Sequence, residues 1–272
     1  MTADVIFDYK TPFVLNALAD GEHKSKRQGL GSDFYKKSSF LSEPNPARVD
    51  LASSLTDPFG SLYVKSYRQR SQLDVLTIID GSSSMTIDNK PELVALFENS
   101  ISASVDARSD NYSPYLFSDT IKVMDRREVL EEHFLAETTD NNRDVAAALY
   151  DVERVLPQRQ SMIFIVSDFH WSAEKFKQVF NRLSGHYLVP IVLWCSEEYD
   201  RYKLWRFVKI HDAETGANRL IFVTPKQKQR IESEFENRRA ELNQLFLQFS
   251  CRPLWAVDDF NIQELRAFFH GP

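Results

Sequence analysis

The sequence predicts a doubly wound α/β fold, in which a mostly parallel sheet is flanked by helices and preceded by an N-terminal extension. Two apolar segments carry this prediction: residues 73–79 and 161–166 are rich in β-branched residues and show no helical stripe. Helical patterns alternate with such strands, which favours parallel strands joined by right-handed crossovers. We divide the chain into an extension over residues 1–70, with an added edge strand, and an α/β domain over residues 71–272.

The extension is expected to contain little regular structure. Apolar residues between positions 13 and 19 indicate a short helix, and the turn-rich stretch 21–46 indicates a long surface loop. Residues 48–55 fit a helical turn or a short strand. Alternating side chains over residues 61–70 predict a half-exposed strand that pairs at the sheet edge, next to the strand at 73–79.

Alternating strand-like and helical patterns of apolar residues predict the α/β domain. Strand-like runs are separated by apolar stripes of helical spacing, and Pro91 suits the first turn of the first covering helix. Further strands are predicted at residues 112–117, 120–124, 161–168, 187–195, 207–210, 220–223 and 253–257, and helices at residues 91–107, 128–135, 145–156, 173–183, 226–249 and 262–269.

Composition favours a cytoplasmic protein with a sizeable core. The chain has 272 residues and is 43% hydrophobic, which is enough to bury a core. No apolar run reaches the roughly 18 residues of a membrane span, and the N-terminus lacks the basic and apolar layout of a signal peptide. We therefore expect a cytoplasmic location and no membrane span.

Charge is unevenly distributed along the chain. Residues 21–70 carry nine Lys or Arg against five Asp or Glu, although the formal net charge of the whole chain is -6. The basic residues are spread over almost the whole segment and are diluted by acids. This pattern favours a solvated surface, or one that docks on the chain's own acidic domain, over a nucleic-acid partner.

An acidic, hydroxyl-rich loop follows the first apolar strand. Asp80, Ser82 and Ser84 form an Asp-x-Ser-x-Ser pattern, and Gly81 permits a tight turn. Such hard oxygen ligands suit Mg²⁺ or Mn²⁺. Asp168 ends the second apolar strand, and in an open α/β sheet both strand ends face one crevice. The alternative is a serine-rich strand-to-helix turn in which a serine caps the helix.

Three segments resemble the von Willebrand factor A-like proteins that bacteria encode beside MoxR-type AAA+ ATPases. Arg-Val-Asp at 48–50 with Tyr-Val-Lys-Ser-Tyr at 63–67 is similar to the family's segment before its first central strand. Asp-Gly-Ser-Ser-Ser-Met at 80–85 matches the metal-ion-dependent adhesion site loop, and Asp-Ala-Glu-Thr-Gly at 212–216 matches a turn of this branch. The resemblance covers roughly residues 29–269 and implies a von Willebrand factor A/Rossmann-like fold.

The resemblance also implies a divalent-metal site. Ser82 and Ser84 would bind Mg²⁺ or Mn²⁺ directly, and Asp80 and Asp168 would bond its waters. One further coordination position would be left for a carboxylate of a partner protein, which the ion would anchor strongly in a partly desolvated interface.

One position departs from the family pattern. The family's remaining ligand is a threonine before the second covering helix, and in this chain Arg143 stands there with Asp144 beside it. Thr138 or Thr139 could replace the ligand only in a rearranged loop. An arginine in the crevice would repel a cation and could pair with a carboxylate instead, so the site is either a metal site or a degenerate one.

The function that the resemblance implies is binding, not catalysis. We expect an adaptor or chaperone-like cofactor that works with a MoxR-type AAA+ ATPase in the maturation or assembly of a target complex. The alternatives are a metal-free scaffolding domain with a degenerate site and, less favoured, a metal-dependent hydrolase. No Gly-x-Ser-x-Gly elbow, phosphate-binding loop or His-Glu-x-x-His motif is present to indicate an enzyme.

Overall fold

The computed structural model describes residues 6–12, 20–42, 44–117, 120–124, 152–196, 198, 204–211 and 218–270. Two units are distinguished by their internal contacts. The larger unit contains Met1–Lys10, Asp74–Ala107 and Tyr112–Pro272, and the smaller unit contains Thr11–Leu73 and Arg108–Asn111.

The described residues form ten strands, five α-helices and three 3₁₀ helices. The strands are β1 (Asp20–Ser39), β2 (Tyr63–Ser71), β3 (Asp74–Asp80), β4 (Asn111–Phe117), β5 (Ile121–Val123), β6 (Met162–Ser167), β7 (Tyr187–Trp194), β8 (Phe207–His211), β9 (Asn218–Phe222) and β10 (Leu254–Val257). The α-helices are α1 (Leu51–Leu55), α2 (Lys90–Ala107), α3 (Ala173–Leu183), α4 (Pro225–Gln248) and α5 (Ile262–His270), and the 3₁₀ helices are Pro46–Arg48, Ser83–Thr86 and Val152–Arg154.

A six-stranded, mostly parallel sheet organises the larger unit. Its strand order is β10-β7-β6-β3-β4-β5. β3, β6, β7 and β10 pair in parallel, and β5 is an antiparallel edge strand on β4. From β3 the chain moves outward to one edge and then returns to β6 to build the other edge, which is a doubly wound order. The predicted fold class is therefore confirmed. The strand order reverses between β3 and β6, and the carboxyl ends of such a strand pair are where open α/β sheets form their ligand crevice.

Helices cover both faces of this sheet, as the surroundings of β6 show. Phe164 of β6 packs at 5.5 Å from Phe97 of α2 and at 6.2 Å from Phe269 of α5, measured between ring centroids. The neighbouring residues Ile163 and Ile165 belong to a different cluster, which also contains residues of α3 and α4. Because successive strand residues point to opposite faces, β6 is buried on both sides. This explains its continuous apolar sequence.

Local capping interactions fix where two of the covering helices begin. Ser172 precedes α3, and its hydroxyl accepts the backbone N–H of Lys175. Thr224 and Gln227 form a reciprocal capping box at the start of α4, and Pro225 occupies its first turn. Both helices lie close to the positions that their apolar periodicity predicts.

The smaller unit differs from its prediction. β1 covers most of the stretch that we expected to be a surface loop, because it pairs antiparallel with β2 through several register shifts. Its polar, glycine-containing sequence lacks the alternation that marks a strand, so pairing, not pattern, determines its conformation. β2 is a strand as predicted, but it pairs with β1 in a two-stranded sheet and not with β3. Residues 48–55 adopt the helical alternative.

Some predicted elements lie outside the described residues. These are the helices at 13–19 and 128–135, most of the helix at 145–156, and the 212–216 turn between β8 and β9. Among the described helices, none combines the length and the apolar character that crossing a membrane requires.

Gly81 directly follows β3 and lies beside the end of β4. Its backbone N–H donates to the carbonyl of Phe117 at 2.6 Å. A Cβ atom at position 81 would lie 2.7 Å from the same carbonyl oxygen. A side chain at this position therefore meets backbone that cannot rotate away.

We predict that Gly81→Ala lowers the free energy of unfolding by about 1–3 kcal/mol, because the added methyl group forces β3 and β4 apart. Urea denaturation followed by circular dichroism measures the change. Gly185→Ala is the matched control: a Cβ there meets nothing within 4 Å, so its effect should stay within about 0.5 kcal/mol. Equal losses in the two variants would contradict the steric explanation.

A carboxyl group is buried in the larger unit between α2 and the sheet. Glu98 accepts a hydrogen bond from the hydroxyl of Tyr112, which lies 2.8 Å from the hydroxyl of Thr77. The second carboxyl oxygen of Glu98 has no hydrogen-bond partner among the described residues. Burial raises the pKa of Glu98 to about 7, although the hydrogen bonds from Tyr112 and Thr77 act in the opposite direction.

We predict that Glu98 makes the protein less stable as pH rises from about 4.5 to 7. Over this range the unfolded chain has released the proton of Glu98 and the folded protein still holds it, so rising pH favours unfolding. Relative to wild type, Glu98→Gln should gain stability between pH 5 and pH 8, by up to about 1.4 kcal/mol per pH unit within that range. Urea denaturation at both pH values measures the gain.

The control is Glu92→Gln, which changes an exposed glutamate on the same helix. It should show no comparable pH-dependent gain. A difference between wild type and Glu98→Gln that is the same at pH 5 and pH 8 would show that Glu98 titrates normally.

Candidate functional site

The four residues predicted for the metal site meet at the carboxyl ends of β3 and β6. The backbone N–H of Ser82 donates to Asp80 at 2.9 Å, and the hydroxyl oxygens of Ser82 and Ser84 lie 3.0 Å apart. Ser84 in turn hydrogen-bonds the carboxylate of Asp168. All four residues are buried. Their binding of a metal stays a prediction.

Donors from the β6 side hold the carboxylate of Asp80. The hydroxyl of Ser167 donates to its Oδ2 atom at 2.6 Å, and the indole N–H of Trp171 donates to the same atom at 3.2 Å. Burial, together with the negative charge of Asp168, raises the pKa of Asp80 above its usual range. The hydrogen bonds from Ser167 and Ser82 partly oppose this rise.

The turn that presents Asp168 is held in an unusual backbone conformation. Phe169 has a φ of 54°, a left-handed value that bulky residues rarely adopt. Its ring packs 5.1 Å from that of Trp171, and Arg238 of α4 donates to the carbonyl oxygens of both residues. The indole of Trp194 donates to the carbonyl of Asp168 at 2.9 Å. These contacts stabilise a turn that its local sequence alone disfavours.

A lysine ammonium group occupies the centre of the site. Lys90 is the first residue of α2, and its side chain is completely buried. Its Nζ atom lies 2.9 Å from Asp168 Oδ2, 2.5 Å from Glu198 Oε1 and 3.2 Å from the carbonyl oxygen of Ser84. An ammonium group has three N–H donors, and three oxygen atoms surround it here.

The charges of this cluster stabilise one another. Burial alone would lower the pKa of Lys90, but Asp168 and Glu198 raise it above its ordinary value. Burial alone would raise the pKa of Asp168, but Lys90, followed by His170, lowers it below its ordinary value. Lys90 and Asp168 are therefore both ionised at neutral pH.

A third strand end also contributes to the site. Glu198 follows β7, and the backbone N–H of Cys195 donates to its Oε2 atom at 3.4 Å. Ligand atoms of Asp168, His170 and Glu198 lie within 4.8 Å of one another, a spacing that could hold a metal ion. In this structure Lys90 bonds to two of the three.

Lys90, Glu198 and Arg238 were not identified as site residues from the sequence. In the sequence, Lys90 could be singled out by its position at the start of a helix, because the helix dipole disfavours a cation there. Arg238 lies among other charged residues of its helix, a pattern that does not reveal that its guanidinium group donates to the carbonyls of Phe169 and Trp171. Glu198 gives no comparable signal in the sequence.

The predicted residues of the 138–144 loop lie outside the described residues. They are Thr138, Thr139, Arg143 and Asp144, so neither the replacement ligand nor the pairing of Arg143 is tested.

The described residues do not fit a divalent cation at Asp168. The hydroxyls of Ser82 and Ser84 are suitable ligands, but the Oδ2 atom of Asp168 already accepts the buried, ionised ammonium group of Lys90. A divalent ion beside it would be repelled by Lys90, and neither charge could be screened by water at this depth.

Comparisons with known proteins add little to this picture. No family model and no curated protein matches the chain. Solved structures that match include the conserved hypothetical protein BatB from Bacteroides thetaiotaomicron, with 12% identity, 72% of this chain and 95% of that chain covered, and a TM-score of 0.37. Another is an aerotolerance-related membrane protein from Bacteroides fragilis NCTC 9343 with multiple mutations to serines, with 11% identity, coverage of 72% and 96%, and a TM-score of 0.36.

Likeness at this level establishes neither a family nor a function. The fold and the site themselves define a doubly wound α/β protein with a buried, charged cluster at its topological switch point.

We predict that Lys90→Met lowers the free energy of unfolding by about 3–5 kcal/mol, because two buried carboxylates lose their cation. Urea denaturation at neutral pH measures the loss. Adding Asp168→Asn to Lys90→Met should recover part of it, since one of the unpaired charges is then removed.

The control is Lys177→Met on α3, where the lysine is exposed. Its effect should stay within about 0.5 kcal/mol. A Lys90→Met variant as stable as this control would show that the buried ion cluster contributes nothing to folding.

Proposed function

We propose that this chain is a von Willebrand factor A-like, protein-binding adaptor and not an enzyme, and that it works with a MoxR-type AAA+ ATPase in the maturation or assembly of a target complex. The observation that carries the binding role is the hydrogen-bonded cluster of acidic and hydroxyl side chains at the carboxyl ends of β3 and β6. Open α/β sheets bind their ligands at this position. The ATPase partner comes from the family resemblance of the sequence motifs.

The state of the two crevice carboxylates supports binding over catalysis. A general base or nucleophile needs a lone pair that can reach substrate. Asp80 accepts hydrogen bonds from Ser82, Ser167 and Trp171, and Asp168 accepts from Lys90 and from the backbone of His170. At 2% and 1% exposure the two carboxylates are committed to the protein itself. A hydrolase would need at least one of them free.

Exposed apolar side chains in the smaller unit also suit a protein that docks on others. Six large apolar residues between positions 34 and 62 are at least 49% exposed. Groups of exposed apolar residues are a common property of interaction surfaces. They are Phe34, Leu41, Leu51, Leu55, Phe59 and Leu62.

Two modes of docking at the crevice follow from the sequence and the structure. In the first, Mg²⁺ or Mn²⁺ bound by the adhesion-site loop anchors a carboxylate of the partner. In the second, the domain is a metal-free scaffold whose crevice is complete without an ion. The contacts of Lys90 favour the second mode, because they already neutralise Asp168.

We predict that bulk placed at the crevice abolishes partner binding. Ser83 lies between the two buried serines of the loop and is partly exposed. Wild-type protein used as bait in its host should capture a MoxR-type AAA+ ATPase, identified by mass spectrometry, and Ser83→Trp should reduce the captured amount by about tenfold or more.

The matched control is Ser184→Trp, which places the same side chain at the C-terminal end of α3. It should capture the ATPase as wild type does. Capture that survives in Ser83→Trp would reject the crevice as the docking site, and failure of wild type to capture any AAA+ ATPase would reject the proposed partnership.

A further inference from the structure

The surroundings of Lys90 resemble the ligand set of a bound cation. Three oxygen atoms from three different chain segments converge on its Nζ atom: the carbonyl of Ser84, the carboxylate of Asp168 and the carboxylate of Glu198. They belong to the adhesion-site loop, the end of β6 and the segment after β7. Each N–H of the ammonium group can therefore be paired with one oxygen atom.

Without those partners, a buried ammonium group at the start of this helix would be energetically unfavourable. A cation at a helix N-terminus is opposed by the helix dipole, and full burial removes its hydration. Both costs are offset only because two carboxylates and a carbonyl oxygen accept its three N–H groups. This lysine is thus part of the site and not a solvated residue at its edge.

Asp168 is the one predicted metal-site residue whose predicted group also accepts Lys90, through its Oδ2 atom. Lys90 meets Ser84 at the backbone carbonyl and not at the hydroxyl that is predicted to be a ligand. Lys90 is covalently attached to the chain and cannot exchange with solvent ions. A divalent ion would have to displace it from Asp168 and leave the ammonium buried without a full set of acceptors.

We propose that the ammonium group of Lys90 is a built-in substitute for the divalent cation, so that the adhesion-type crevice of this protein is metal-independent. Removing the ammonium group frees the carboxylates of Asp168 and Glu198, which together with His170 are spaced to hold a divalent ion. The inference concerns the crevice of the proposed function but rests on the contacts of Lys90 alone, so the adaptor role can stand if the inference fails.

The test is a titration with Mn²⁺, with free ion measured by electron paramagnetic resonance. Wild type should bind no Mn²⁺ at millimolar concentration, and Lys90→Ala should bind it at least about tenfold more tightly than wild type. The double variant Lys90→Ala with Asp168→Asn should lose the acquired binding, and the exposed control Lys177→Ala should behave as wild type does.

Two results would overturn the inference. One is Mn²⁺ binding by wild type that Ser84→Ala removes, and the other is a folded Lys90→Ala variant, checked by circular dichroism, that acquires no binding. If Lys90→Ala does not fold, the wild-type titration decides alone: no binding supports a metal-independent crevice, and binding that depends on Ser84 refutes it. Because no partner protein is present, these outcomes are separate from those of the capture experiment.

Discussion

The site depends on one buried ionic interaction, between Lys90 and the carboxylates of Asp168 and Glu198. It joins the start of α2 to the end of β6 and to the segment that follows β7. Burying three charged groups is costly, and the cost is recovered only when every donor and acceptor has a partner. A cluster of this kind therefore tolerates little displacement of its elements. It fixes the helix and the two strand ends in one arrangement.

The rest of the crevice is held by neutral donors and by aromatic packing. Asp80 carries no cation among its described contacts and relies on Ser167 and Trp171, whereas Asp168 relies on Lys90. Arg238 stabilises the turn that follows Asp168 by donating to its backbone carbonyls. Asp80 is thus held by neutral donors, whereas Asp168 is held by a cation. These different partners allow two acidic groups to lie close together in a buried site.

The central strands β3, β6 and β7 could be predicted from the sequence because they are buried on both faces. β6 is a short, continuous apolar run and α3 has an apolar stripe of helical spacing, so both elements could be predicted. The strand order then brings Asp80 and Asp168 together. Neither β1 nor the ion cluster could be predicted in this way. β1 is determined by pairing with β2, and Lys90 finds Glu198 through tertiary structure over more than a hundred residues. Long-range polar partners leave no periodic signal in a sequence.

Helix α2 carries two buried ionisable groups whose surroundings differ. Lys90 and Glu98 are both buried, yet Lys90 has carboxylate partners, whereas the described contacts of Glu98 are with neutral hydroxyl groups. Desolvation disfavours the charged form of both groups, so the interaction partners of each group decide whether it is ionised. With carboxylates beside it the lysine stays ionised, and without a cation the glutamate holds its proton up to about pH 7. A fixed charge at the ends of the strands and a titratable group between α2 and the sheet therefore arise from the same helix.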